Sequence, residues 1–122
     1  MREYHIITGQ KCRDRIELRA LACGTDYSVT ICGGTRYHVG AIALGCFEPG
    51  VEATVRVTGV PGHRDEEVAK WAAGYLATEL KCNVSVSAGI HIDNASREEI
   101  NVLVTNCRKA CKALVKEVAE KQ

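Results

Sequence analysis

Three histidines from separate parts of the chain, each close to a glycine, carry much of its chemical capacity. His38, His63 and His91 lie near Gly40, Gly62 and Gly89. Three imidazoles can hold a metal ion and leave one coordination position open. No two of them sit four residues apart on a helix, so their spacing is no metal signature. The plainer alternative is three half-buried rings with local hydrogen bonds, and no metal is assigned. Arg64, beside His63, stands where a helix begins. Free N–H groups there favour anions, and an arginine can clamp a phosphate or carboxylate with two hydrogen bonds. It can equally pair with Asp65, Glu66 and Glu67 of its own first turn, where carboxylates also favour the helix dipole. Thr35 and Arg36 add donors inside the stretch Gly33-Gly34-Thr35-Arg36-Tyr37-His38-Val39-Gly40. Glycine lets a ligand approach the main chain. The stretch lacks GxGxxG spacing and opens a strand, so it is neither a dinucleotide fingerprint nor a Walker loop. It is either a binding loop or a glycine-rich hairpin turn. Cys32 with His38 would make a nucleophile and base, but nothing orients that pair. Cys107 and Cys111 share an apolar helical stripe and read as small core residues. Glu66/Glu67 and Glu98/Glu99 fall in first helical turns, where the helix dipole accounts for them. No residue is given a catalytic role.

The elements that must position these residues follow from periodicity. Tyr4 to Thr8 reads as an edge strand. Ile16, Leu18, Ala20 and Ala22 alternate with more polar neighbours, and Cys23 to Asp26 is a turn. Strands follow over Tyr27–Cys32, His38–Leu44 and Val51–Thr58. Short connections between alternating strands predict an antiparallel meander. After Gly62 the period changes to 3.6: Val68, Trp71, Ala72, Tyr75, Leu76 and Leu80 form one stripe, with Asn83 available as a left-handed stop. Val84 to Ile92 alternates again, and Asp93-Asn94-Ala95 is a turn. Ser96-Arg97-Glu98-Glu99 has capping-box spacing before a second amphipathic helix that runs through Cys107, Cys111 and Val118. The expectation is an α+β two-layer sandwich: a mainly antiparallel sheet of four or five strands, then a helix, a strand and a helix. The expected order of elements is β-β-β-β-α-β-α, with both helices on one sheet face. The other face would carry Ser85, Ser87, Gly89, His91, Thr30, Cys32, Thr54 and Arg56, too polar for a second core. It would be solvated, or meet a ligand or another subunit.

Composition narrows the partners. At 122 residues the chain reads as a single domain, 1–122. A net charge of +1 gives no electrostatic case for nucleic acid or an anionic membrane, and 5% aromatic content leaves little for base stacking. No apolar run approaches the roughly 20 residues that span a bilayer. Met1-Arg2-Glu3-Tyr4-His5 lacks a basic region followed by an apolar segment, so a signal peptide is not expected. With an odd number of cysteines, seven, this predicts free thiols in a reducing cytoplasm.

Three blocks, Gly33 to Gly40, Gly62-His63-Arg64-Asp65 and Ala88-Gly89-Ile90-His91-Ile92-Asp93, resemble in order and spacing the LpdD-like family over about Arg15 to Leu114. These are small D subunits of gallate- and vanillate-type decarboxylases, described as chaperones for prenylated flavin mononucleotide. The resemblance implies a UbiD-type decarboxylase catalytic subunit as partner, with prenylated FMN or FMN as the bound cofactor. It also implies a cofactor site at Gly33, Gly34, Thr35, Arg36, His38, Gly40, His63, Arg64 and His91. Three readings compete: a non-catalytic flavin-binding chaperone, a small histidine-based and possibly metal-dependent enzyme, and an assembly subunit of a decarboxylase complex. The first is preferred, so the chain is expected to be an accessory subunit and not an enzyme. A homo-oligomer is expected because a two-layer fold leaves one sheet face open.

Overall fold

Period-two alternation places the apolar residues of most strands on one face, and that face is what the helices cover. The computed structural model describes residues 1–62 and 64–121. Its strands are β1 (Glu3–Thr8), β2 (Ile16–Cys23), β3 (Asp26–Gly34), β4 (Ala41–Cys46), β5 (Thr54–Gly59) and β6 (Val84–His91). Helix α1 (Glu66–Leu80) lies between β5 and β6, and α2 (Arg97–Glu120) follows β6. A 3-10 turn at Cys12–Asp14 joins β1 to β2. The two-layer α+β architecture is as expected, with the edge strand β1 present as a fifth strand before α1.

The strand order is β1-β2-β3-β6-β4-β5. β6 is parallel to β3 and antiparallel to β4, and the remaining pairs are antiparallel. This corrects the antiparallel meander: the sheet is mixed, and the last strand in sequence is inserted at its centre. Alternation reports which face of a strand is buried and says nothing of its neighbours. Two boundaries also move. The fourth strand begins at Ala41 and not at His38, and the fifth begins at Thr54 and not at Val51.

The core is aliphatic. Ile16, Leu18, Val29, Ile31, Val84, Val86, Leu76 and Leu114 are completely or almost completely buried between sheet and helices. α1 docks through Ala69, Ala72, Ala73, Leu76 and Ala77. The stripe expected from its large apolar residues lies beside that face: Trp71 and Tyr75 are only half-buried and stack on each other, with ring centroids 4.8 Å apart. Alanines allow the closer approach. A Cβ on Gly45 of β4 would overlap the Ala73 carbonyl, so sheet and helix meet there backbone to backbone. The left-handed stop after α1 is Lys81 (φ 55°), not Asn83. Asn83 is otherwise engaged: its Oδ1 accepts from Phe47 N, and its own N–H donates to Asp26 Oδ1.

α2 begins with the expected capping box between Ser96 and Glu99. Glu99 also accepts from Arg13 Nε at 2.7 Å and from Nη2 at 3.2 Å, which ties the 3-10 turn to the helix start. The Arg13 hydrogen bond, then the Ser96 N–H, holds the Glu99 carboxyl down at about 2. A carboxyl depressed on folding stabilises the fold above its unfolded value of about 4.3, and the contribution is lost as pH falls toward the folded value. Both partners are exposed, so the effect is small and screened by salt. Glu99→Gln keeps the cap and removes the charge. Its urea midpoint should lie below that of wild type at neutral pH. The gap should shrink as pH falls from about 5, and it should also shrink in high salt. A gap independent of pH would refute the ionic account.

Candidate functional site

The insertion of β6 decides what the glycine-rich stretch is. β3 and β4 are not neighbours, so their connection must cross two strand spacings, about 10 Å. It is a bridge over the C-terminal end of β6, which excludes the hairpin-turn alternative. Thr35 N donates to the His91 carbonyl at 2.7 Å on one side, and Gly40 N donates to the Ala88 carbonyl at 2.8 Å on the other. Between them the chain lies directly on β6: a Cβ on Gly89 would overlap the backbone carbonyl of His38. Gly34, at φ +80°, is equally constrained, because a Cβ there would overlap the His91 carbonyl. Gly34 N donates to the Arg15 carbonyl. The amides of Gly34, Thr35 and Gly40 are therefore used within the fold. The glycines act here by lacking a Cβ and not by cradling a phosphate.

Asp65 is the hub of this corner. By position it caps α1, yet its carboxylate makes no cap bond. Oδ1 accepts from Ile90 N at 2.9 Å, and Oδ2 pairs with His38 Nε2 at 2.9 Å. Ile90 lies just past the last β4–β6 pair, Ala41 with Ala88. The carboxylate thus stands in for a strand carbonyl where β4 has ended. Asp65 is only 3% exposed and rests against Gly40, where a Cβ would overlap it. A carboxylate acceptor at Nε2 keeps a proton on that nitrogen and fixes the orientation of the His38 ring.

His91 forms a second imidazole–carboxylate pair. Its Nε2 lies 2.9 Å from Asp93 Oδ1. The His91 bond first, and the Arg36 guanidinium 4.0 Å away after it, holds the Asp93 carboxyl below its usual range. Thr35 fastens the turn: its Oγ1 donates to the His91 carbonyl at 3.2 Å and accepts from Asp93 N at 3.0 Å. The His38 and His91 rings meet edge to face, centroids 6.4 Å apart. Arg36 and Arg64 are exposed, and among the described residues Arg64 has no hydrogen-bond or ion-pair partner.

Gly33, Gly34, Thr35, Arg36, His38, Gly40 and His91 thus gather at one end of the sheet, and Arg64 adjoins Asp65 in the chain. His63 lies outside the described residues. Sequence reasoning missed Asp65, Gly89 and Asp93 as site residues. Asp65 stood within the quoted Gly62-His63-Arg64-Asp65 block but was assigned to the helix dipole. Cys32 lies beside this corner without being activated. Its Sγ donates to the His38 backbone carbonyl at 3.7 Å, not to the ring, and burial raises its pKa. Cys107 and Cys111 are core residues, and burial pushes the Cys107 thiol up to about 12. Among the described residues no three His, Cys, Asp or Glu side chains gather to hold a metal, and no helix is long and apolar enough to cross a membrane.

Residues 10–119 match the family model of the prenylated flavin chaperone LpdD-like domain. No curated protein sequence matches the chain. Among solved structures the chain is similar to one in the crystal structure of a chaperone complex for yeast 20S proteasome assembly. The TM-score is 0.61 at 11% identity, and the match covers 96% of this chain and 98% of that one. At that identity the likeness concerns the fold alone.

Proposed function

Because the chain belongs to the prenylated flavin chaperone LpdD-like family, we propose that it binds prenylated FMN, or FMN itself, without turning it over, and delivers or protects it for a UbiD-type decarboxylase catalytic subunit in the cytoplasm. One observation carries this reading: Gly33–Gly40, Asp65 and Gly89–Asp93 converge at the end of β6. The exposed guanidiniums of Arg36 and Arg64, with the imidazoles beside them, suit the phosphate of a flavin nucleotide. A binding role is favoured over nucleophilic catalysis because the pKa of the nearby Cys32 thiol is raised by burial, so the thiol is not activated.

Two measurements test it. Chain purified from cells that co-express the flavin prenyltransferase should carry visible absorption from the cofactor, and it should also bind FMN in titration. Arg36→Gln should weaken FMN binding about tenfold, the loss of one charge-assisted hydrogen bond. A colourless chain that also fails to bind FMN would sink the proposal.

A further inference from the structure

The sheet face away from the helices holds a trough that the corner site does not use. Its floor and rim are set by register. One row across the sheet is Thr30, Ser87, Ile42, and the next is Ser28, Ser85, Leu44, with Arg56 opposite Leu44 on β5. The hydroxyl side chains are short, whereas Ile42 and Leu44 stand up beside them, 51% and 44% exposed. The row after Thr30 and Ser87 is Cys32 with Gly89, where the His38 backbone lies across the sheet. The Thr35–Gly40 bridge therefore walls off one end of the trough. The open trough has a volume of about 430 Å³, within the usual range for small-molecule sites of about 300–1,000 Å³. None of its lining residues is acidic, and Arg56 is the charged one.

We propose that this trough receives the flat ring system of the flavin, with the ribityl phosphate tail running past the bridge to Arg36 and His91. The inference rests on the flavin-binding reading above and assigns the ring a place within it. Aliphatic side chains against one side of a conjugated ring, with hydroxyls below, match a ligand that is apolar across its faces and polar at its edge. Arg56 faces the electron-rich pyrimidine edge, whose negative charge increases when the ring is reduced. Ser87 lies four residues from His91 along β6, about 13 Å at the usual strand rise, a distance bridged by the ring's own extent, the ribityl phosphate and the reach of the exposed Arg36 side chain together. A protein partner suits this surface less well. A stable interface buries about 800 Å² on each side around large anchors, and here two aliphatics border a floor of serine and threonine.

The test titrates FMN and riboflavin, which lacks the phosphate, into the full chain and follows flavin fluorescence. Thr30→Tyr fills the trough with a residue at home on a strand, and Ile42→Glu with Leu44→Glu removes its apolar rim. Either should weaken both ligands about tenfold or more, whereas Arg36→Gln should weaken FMN and spare riboflavin. Thermal melts confirm folding, and all three variants alter exposed positions. If Arg36→Gln loses FMN while both trough variants bind like wild type, the placement is wrong and the flavin reading stands. If wild type binds neither flavin, both are wrong. If the trough variants leave flavin affinity unchanged but lower the native mass to that of a monomer, the face is an interface between copies and the proposal is overturned.

Discussion

Asp65→Ala should lower the free energy of unfolding by about 2–4 kcal/mol, because a buried acceptor serving two donors disappears at once. Ile90 N–H loses its acceptor where β4 has already ended, and His38 loses the group that holds its ring. Urea denaturation should show a lower midpoint with an unchanged slope, the sign of a stability change alone. Asp65→Asn separates the two roles. Its amide oxygen can still accept from Ile90, but its NH₂ then faces His38 Nε2, which must give up its proton to accept. That variant should fall between wild type and alanine in stability while losing as much flavin affinity as the alanine variant. A cost for Asp65→Ala within about 0.5 kcal/mol, the ordinary range for a surface change, would mean that the carboxylate is not the hub described here.

Gly89→Ala should do its main damage to the bridge. Its new methyl group would occupy the space of the His38 carbonyl, which is backbone and cannot turn aside as a long side chain can. The bridge must lift, at a cost of about 1–3 kcal/mol as for other over-packed sites. The Thr35 and Gly40 amides, which donate to His91 and Ala88 on either side of the crossing, should exchange with solvent faster. Amides of β2 such as Leu18, remote from the crossing, should keep their protection. Flavin affinity should fall with the bridge even where the sheet stays folded. Unchanged protection at Thr35 and Gly40 would contradict the close crossing.

Much of this architecture is legible in the residues because it is local. Alternation at Ile16, Leu18 and Ala20 marks a half-buried strand wherever that strand lies. Ser96 and Glu99 are three residues apart and need nothing else to close a capping box. The hydroxyl-rich sheet face follows from the same period of two. What escaped is non-local. Nothing in Tyr27–Cys32 or Ala41–Leu44 reports that β6 will come between them, because interior strands present the same backbone groups to any partner. The role of Asp65 depends on that insertion, which brings Ile90 N–H and His38 to it. With three acidic residues in a row at a helix start, the dipole was a sufficient explanation. The docking face of α1 differs from the apolar stripe for another reason. Large apolar residues dominate the helical pattern, whereas close approach to Gly45 favours the alanines.

The central position of β6 also orders events in time. Before residues 84–91 exist, the sheet is two pieces: β1-β2-β3, and the β4-β5 hairpin, with no hydrogen bonds between them. Thr35–Gly40 then joins two bodies across an unfilled gap, and neither His91 nor the Ile90 amide is present to define it. β6 pairs with β3 residues some 57 positions earlier in the chain, as in Tyr27 with Val84, a closure across long sequence separation that is intrinsically slow. A nascent chain therefore cannot assemble the corner from its first half. Under the proposed reading the corner becomes able to hold a flavin only when the sheet is complete, so an incompletely folded chain has no partial site for it.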